Sequence, residues 1–280
     1  GHVPSPLSSP PSRGEGRERG EISFVDAYPE FKGLHVFKGN AKVIEILQEK
    51  GALLHQENFQ HSYPHCWRCK KPIIFRATPQ WFMKIDHENL RPKMSEAIQN
   101  KIQFTPDWGK NRIGSMVETR PDWCLSRQRY WGVPIPIISC QNCGKSFVSE
   151  TKEAIVHSFK ESGADIWFEK QPLDFFQGQK PSCCGKTELK KETDIIDVWF
   201  DSGVSHQAVL RKNQNLHYPA DLYLEGSDQH RGWFQSSLTT AVAIEGNSPF
   251  KGVLTHGFVM DGEGKKMSKS AGNVVAPQDV

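Results

Sequence analysis

Apolar residues recur at helical spacing in parts of this chain and gather into short β-branched runs in its last third, and the two patterns predict different elements. Val43, Ile44 and Leu47 fall on one helical face, with Asn40 as N-cap and Gly51 as stop, which gives a helix of roughly ten residues. Asn89 to Lys101 reads as a second amphipathic helix. Three later runs read as buried strands: Asp194 to Phe200, ending in Asp201-Ser-Gly203; Asp221 to Glu225, ending in Gly226-Ser-Asp-Gln229; and a run from Val253. Phe234, Leu238 and Val242, four apart, place a helix between the second and third. Strand, turn, helix, strand is half of a doubly wound parallel α/β sheet, in which ligands lie at the carboxyl ends of the strands. Ala52 to His55 reads as a short strand, and Tyr63 to Phe75 as a Cys-x-x-Cys knuckle leading into an apolar strand.

The first 22 residues do not follow this pattern. Pro4 to Gly20 is rich in proline, serine, glycine and charge, holds almost nothing that can be buried, and reads as a disordered or foreign segment. Over the whole chain 37% of residues are apolar and 24% charged, without the run of ~18 apolar residues that a membrane span needs. The start lacks the apolar core of a secretory signal, so a cytoplasmic protein is expected. A net charge of +3 permits a polyanionic partner without requiring one.

The seven cysteines include Cys66-x-x-Cys69, Cys140-x-x-Cys143 and the adjacent pair Cys183-Cys184. In a chain without an export signal this favours metal ligation or free thiols over disulfides. Two turns presenting Cys140, Cys143, Cys183 and Cys184 to one tetrahedral Zn2+ would close a small ribbon with too little apolar sequence to fold unaided. Cys66 and Cys69 are the alternative half-site, and a degenerate ribbon without metal is the plainer reading. Cys124 reads as a small buried residue.

Two stretches carry phosphate chemistry by residue type. Between Asn111 and Ile138, Arg112, Arg120, Arg127 and Arg129 alternate with Trp123, Tyr130 and Trp131, as on a phosphate-facing surface or in a structural stacking cluster. After the Val253 run, a Gly-Glu-Gly turn leads into Lys265, Lys266, Ser268, Lys269 and Ser270, a mobile cationic loop suited to gripping phosphate oxygens, or else a solvated turn. Glu225 is either a structural carboxylate or, with Gly226 allowing a close backbone approach, an acceptor for ribose hydroxyls or an ammonium.

Lys266-Met-Ser-Lys-Ser270, with His256-Gly-Phe before it and Gly272-Asn273 after it, resembles the signature loop of class I aminoacyl-tRNA synthetases. Leu224-Glu-Gly-Ser-Asp-Gln-His-Arg-Gly-Trp-Phe234, Asp197-Val-Trp-Phe-Asp-Ser-Gly203 and Asp122-Trp-Cys-Leu-Ser-Arg-Gln-Arg129 resemble the bacterial isoleucine-specific members. The resemblance implies isoleucine–tRNA ligase chemistry, in which the isoleucine carboxylate attacks the α-phosphate of ATP, bound with Mg2+. Pyrophosphate leaves and the aminoacyl group passes to the isoleucine tRNA, in an enzyme that is monomeric when full length. At matching positions Lys266 and Lys269 are catalytic and hold the phosphates with Ser268. Glu225 and Gly226 contact the aminoacyl-adenylate, Asp228 and Gln229 line its site, and Trp199 and Trp233 flank the isoleucine side chain. Pro181 stands where the resembling pattern places a cysteine.

The resemblance divides the chain into the low-complexity segment 1–22, the tail of an editing insertion (23–65), the return connector of the catalytic core (66–139), the zinc-ribbon-like insertion (140–190) and the second Rossmann half (191–280). The family's His-x-Gly-His element and helical anticodon-binding domain are not found, so a partial synthetase, inactive by itself, is expected. A noncatalytic zinc-ribbon remnant that binds nucleic acid is the alternative.

Overall fold

The computed structural model describes residues 29–66, 69–75, 78–184, 188–269, 271–276 and 278; the segment 1–22 and Ser270 lie outside them. The chain divides into two compact units, one ending at Thr78 and one starting at Pro79. In the first, helix α1 (Gly39–Glu49) forms where the Val43, Ile44 and Leu47 face predicts it. Its N-cap is Lys38 rather than Asn40, and no side chain caps it. Gly51, at φ +62°, takes the left-handed turn that stops the helix, and the Ala52 N–H donates back to the Leu47 carbonyl at 2.8 Å. The strands expected at Ala52–His55 and after the knuckle are absent. After the knuckle the pairing among the described residues stops at one antiparallel bridge, His65 with Pro72, and the Ile73 N–H donating to the Pro64 carbonyl at 3.1 Å, and Leu54 and Phe75 stand 98% and 82% exposed.

The second unit is built on a parallel sheet in the order β2 (Gln103–Thr105), β9 (Phe250–His256), β8 (Ala220–Gly226). Helix α7 (Trp233–Glu245) crosses from β8 to β9 and buries Phe234, Leu238 and Val242 with Tyr223, Phe250 and Val253 of the strands. Helices α2 (Leu90–Asn100) and α3 (Trp108–Glu118) add Leu90, Met94, Ile98, Ile113 and Val117 to the same core. Full burial of each such side chain contributes roughly 1.5–3 kcal/mol. The polar residues of α7 are also buried, and Thr239 and Thr240 satisfy their hydroxyls on backbone carbonyls of Gln235 and Gly203, each at 2.7 Å.

The run Asp194–Phe200 is not one strand. Only β7 (Ile195–Ile196) is extended, paired antiparallel with β4 (Ser126–Arg127), and helix α6 (Val198–Gly203) follows at once. Asp197 accounts for the difference: its carboxylate accepts the Trp199 N–H at 3.1 Å, an N-cap that starts a helix in spite of the apolar residues after it. The strand β1 (Phe82–Met83) pairs with β3 (Trp123–Cys124), and this brings the β4 segment alongside.

Between β5 (Ile138–Cys140) and β6 (Leu189–Lys191), an antiparallel pair, lie α4 (Val148–Ser162) and α5 (Ile166–Glu169). Ile138, Phe147, Ile155, Trp167, Phe175 and Phe176 make a separate core there. The expectation of too little apolar sequence is therefore corrected. The large aromatics are scattered through loops and short turns without a period, so no sequence window shows them as one core.

Candidate functional site

The expected ligand-binding residues gather at the carboxyl ends of β8 and β9. The two strands run in register, Glu225 beside Thr255 and Gly226 beside His256, so the turn after β8 and the lysine loop after β9 leave the sheet side by side. Glu225 and Asp228 are exposed. Gly226 lets the Asp228 carboxylate fold back over the turn: a Cβ there would lie 2.8 Å from it, and the exposed Asp228 side chain would have to move aside. Gln229 turns inward, and its Oε1 accepts the Trp233 N–H at 2.8 Å at the start of α7. His230 is fully buried beneath this turn, its Nδ1–H donating to the Ser227 carbonyl at 3.0 Å and its ring packed between Trp108 and Phe234.

Trp199 and Trp233 arrive from α6 and α7. The Trp233 indole stacks on Tyr223, with centroids 3.9 Å apart, and its Nε1–H donates to the Ser202 carbonyl at 3.0 Å and to Ser205 Oγ at 3.2 Å. Trp199 is 42% exposed, with its six-membered ring against Gly232. Behind them, buried Asp197 accepts from Trp123 Nε1 at 2.9 Å and from Arg127 at 2.7 Å. Sequence reasoning missed Asp197 as an organiser of the site, although an Asp directly before a helical turn is a cap signal.

The arginine-rich stretch is internal only in part: Trp123 is buried and Arg120 and Arg127 are half-buried, while Arg112, Arg129, Tyr130 and Trp131 are exposed. Arg127 is taken by Asp197, and Arg120 donates to Gln235 while lying 4.9 Å over the Trp123 ring. Burial lowers the Arg120 pKa from its ordinary value. At Arg120 and Arg127 these contacts fit the structural stacking cluster, while the exposed Arg112, Arg129, Tyr130 and Trp131 keep a cationic, aromatic surface toward solvent.

After β9 the chain forms a hairpin. The Met267 N–H donates to the Val259 carbonyl at 3.0 Å, and Met260 pairs antiparallel with Lys266. Asp261 Oδ1 accepts the N–H groups of Glu263 and Lys265, while its Oδ2 accepts from Asn273 at 2.7 Å. Asn273 in turn accepts the Ser268 N–H at 3.0 Å and donates to the Lys266 carbonyl. The Asn273 amide, then the Lys265 N–H, hold the Asp261 carboxyl below its ordinary pKa. The three lysines have different surroundings: Lys265 pairs with Glu263 at 2.8 Å, the Lys266 ammonium sits 3.4 Å over the Phe258 ring, and Lys269 is exposed.

The four sulfurs of Cys140, Cys143, Cys183 and Cys184 lie within 4.8 Å of one another. Cys184 is 3.7 Å from Cys140 and 3.8 Å from Cys183. These separations match about 3.8 Å, the edge of a tetrahedron with Zn–S near 2.3 Å. The adjacent pair thus brings two sulfurs into a group of four that could hold a metal ion, in spite of Pro181. The Cys143 N–H, then burial working against it and the Asn142 N–H in favour, leave the Cys140 thiol below its ordinary pKa. The Cys184 N–H favours a Cys183 thiolate, but burial and shared hydrogen bonds with Cys140, Cys143 and Cys184 prevail and push that thiol up to about 12. Cys66 and Cys69 form a separate knuckle in the first unit, where the Cys69 N–H points to Cys66 Sγ at 3.5 Å. Cys124, half-buried, lies near Gln80 Oε1.

No helix among the described residues is long and apolar enough to cross a membrane. The isoleucine–tRNA ligase of Caldanaerobacter subterraneus subsp. tengcongensis is 54% identical over 92% of this chain, and that of Desulfotalea psychrophila 55% identical over 89%. The chain spans 27% of the length of each. Among solved structures, a Mycobacterium tuberculosis methionyl-tRNA synthetase with methionyl-adenylate bound is 18% identical, with a TM-score of 0.45 over 76% of this chain and 32% of that one. The family described as tRNA synthetases class I (I, L, M and V) matches residues 19–280, and the chain belongs to that family.

Proposed function

We propose that this chain carries the second Rossmann half of an isoleucine–tRNA ligase, which activates isoleucine with ATP and passes it to the isoleucine tRNA in the cytoplasm. The observation that carries this reading is the pairing of Glu225 with Thr255 and of Gly226 with His256. It aims the Glu225–Gln229 turn and the lysine hairpin at one space beyond adjacent parallel strands. Isoleucine enters with its side chain between Trp199 and Trp233. Glu225 and Asp228 accept hydrogen bonds from the adenylate's ribose hydroxyls and the amino acid's ammonium. Lys266, Ser268 and Lys269 face the phosphates of ATP, which is bound with Mg2+. As the isoleucine carboxylate attacks the α-phosphate, charge builds on the departing pyrophosphate, where the lysines count most.

The parallel β2-β9-β8 sheet supports this assignment, and the four-sulfur cluster supports a structural Zn2+ held by Cys140, Cys143, Cys183 and Cys184. Such an ion would fasten the β5 turn to the 183–184 turn, away from the reacting atoms. Isoleucine-dependent ATP–pyrophosphate exchange in a complete enzyme carrying this segment tests the reading. Lys269→Ala should lower the rate on the order of a hundredfold, the scale of one transition-state contact. A rate within a fewfold of the parent would remove Lys269 from the catalytic set.

A further inference from the structure

We infer that Gly232 is a specificity-determining position: the absence of a side chain there lets the Trp199 ring lie against the start of α7 and so sets the width of the slot for the amino-acid side chain. The inference rests on the reading of Trp199 and Trp233 as the walls of that slot. Gly232 is buried at the N-cap of α7. A Cβ on it would lie 2.9 Å from both Cη2 and Cζ3 of Trp199 and would overlap Gln229 Oε1. Side-chain carbons do not approach that closely without something moving.

The neighbouring contacts decide what moves. The Trp199 backbone is held by its N–H to Asp197 and by the Ser202 hydroxyl on its carbonyl at 3.2 Å, and Asp197 is itself fixed by Trp123 and Arg127. Trp233 is fixed by its stack on Tyr223 and by its Nε1–H bonds to Ser202 and Ser205. The exposed ring of Trp199 is the part left to swing, away from Gly232. Gln229 must shift as well, loosening its hydrogen bond to the Trp233 N–H. A methyl at position 232 therefore reshapes the slot from its backbone side and leaves the lysine hairpin untouched. Discrimination between isoleucine and valine rests on one methylene, worth roughly 10–200-fold, so a small displacement of one wall is enough to change it.

The test is amino-acid-dependent ATP–pyrophosphate exchange in a complete enzyme carrying this segment, comparing the parent, Gly232→Ala, Trp199→Phe and the double variant. Gly232→Ala should raise the KM for isoleucine about tenfold and shrink the isoleucine-over-valine ratio of kcat/KM, with the KM for ATP within about twofold of the parent. Trp199→Phe removes the ring atoms that meet the new methyl, so the double variant should lose less than the sum of the single losses. Additive losses, or equal rises in the KM for isoleucine and for ATP, would overturn the inference. Should Gly232→Ala fail to fold, recovery of folding in the double variant supports the clash with Trp199, and failure of both refutes it. A parent enzyme with no isoleucine-dependent exchange would instead sink the reading of the site itself.

Discussion

Cys184 completes the group of four sulfurs that lie within 4.8 Å of one another. The spacing of the thiols picks out four candidate ligands, but an adjacent pair and Pro181 in a cysteine's place give no assurance that the second turn can present two sulfurs. Folding places Cys184 Sγ within 3.7 and 3.8 Å of Cys140 and Cys183, with the Asn142 amide donating to it at 3.3 Å. The expected outcome is about one Zn2+ per chain by metal analysis, with Cys143→Ser releasing it and loosening residues 140–185 to proteolysis. The separate aromatic core around Trp167 and Phe176 should keep the module partly structured after release. Fully folded parent protein without metal would end the zinc assignment. Asp197 is the opposite case. Its capping role was available from its place before Val198, but its bonds to Trp123 and Arg127 join residues 74 and 70 positions apart, which no local pattern reveals.

At the scale of elements, β8, α7 and β9 were legible because short apolar runs mark the two strands, a four-residue apolar repeat marks the helix, and Gly226, Gly232, Gly246 and Gly257 stand at their ends. Helix α6 was not, since one capping carboxylate outweighed a β-branched run. The segment after α6 places His206 fully buried against Tyr218, near Glu245 and Arg211, while His230 is buried under the turn after β8. Burial pushes both imidazoles below their ordinary pKa. In the unfolded chain each takes up a proton near pH ~6.5. Below that value the unfolded state binds more protons than the folded one, so stability falls as the pH drops through about 6.5 toward the depressed folded values. The carboxyls held low, such as Asp86 by Arg91 and Asp261 by Asn273, add their losses only in the more acidic range. Urea midpoints at pH 7.5, 6.5 and 5.5 should therefore decline, and His206→Phe should flatten the decline. Constant midpoints across that range would show that neither imidazole is held neutral by the fold.

For the whole molecule, the question is whether the described site is enough for chemistry. The sheet presents Glu225, Asp228 and the lysine hairpin at the carboxyl ends of β8 and β9, yet β8 has no strand on its outer side among the described residues. Leu222 and Leu224 on that strand are 50% and 52% exposed. A parallel sheet is ordinarily covered on both faces, and a doubly wound nucleotide site is assembled across the point where the two halves of the sheet diverge. Stabilisation of the departing pyrophosphate depends on donors placed beforehand on both sides of it, and in the proposed reading Lys266, Ser268 and Lys269 supply one side. The 280-residue chain alone is therefore expected to show no isoleucine-dependent ATP–pyrophosphate exchange. Exchange should appear when it is mixed with a separately made first half of the catalytic domain from a related isoleucine–tRNA ligase, and Leu222→Asp or Leu224→Asp should weaken that rescue by putting charge on the face to be covered. Robust exchange by the chain alone would show that Glu225, the tryptophans and the lysine hairpin suffice without a second wall. Rescue insensitive to both leucine changes would place the docking surface elsewhere.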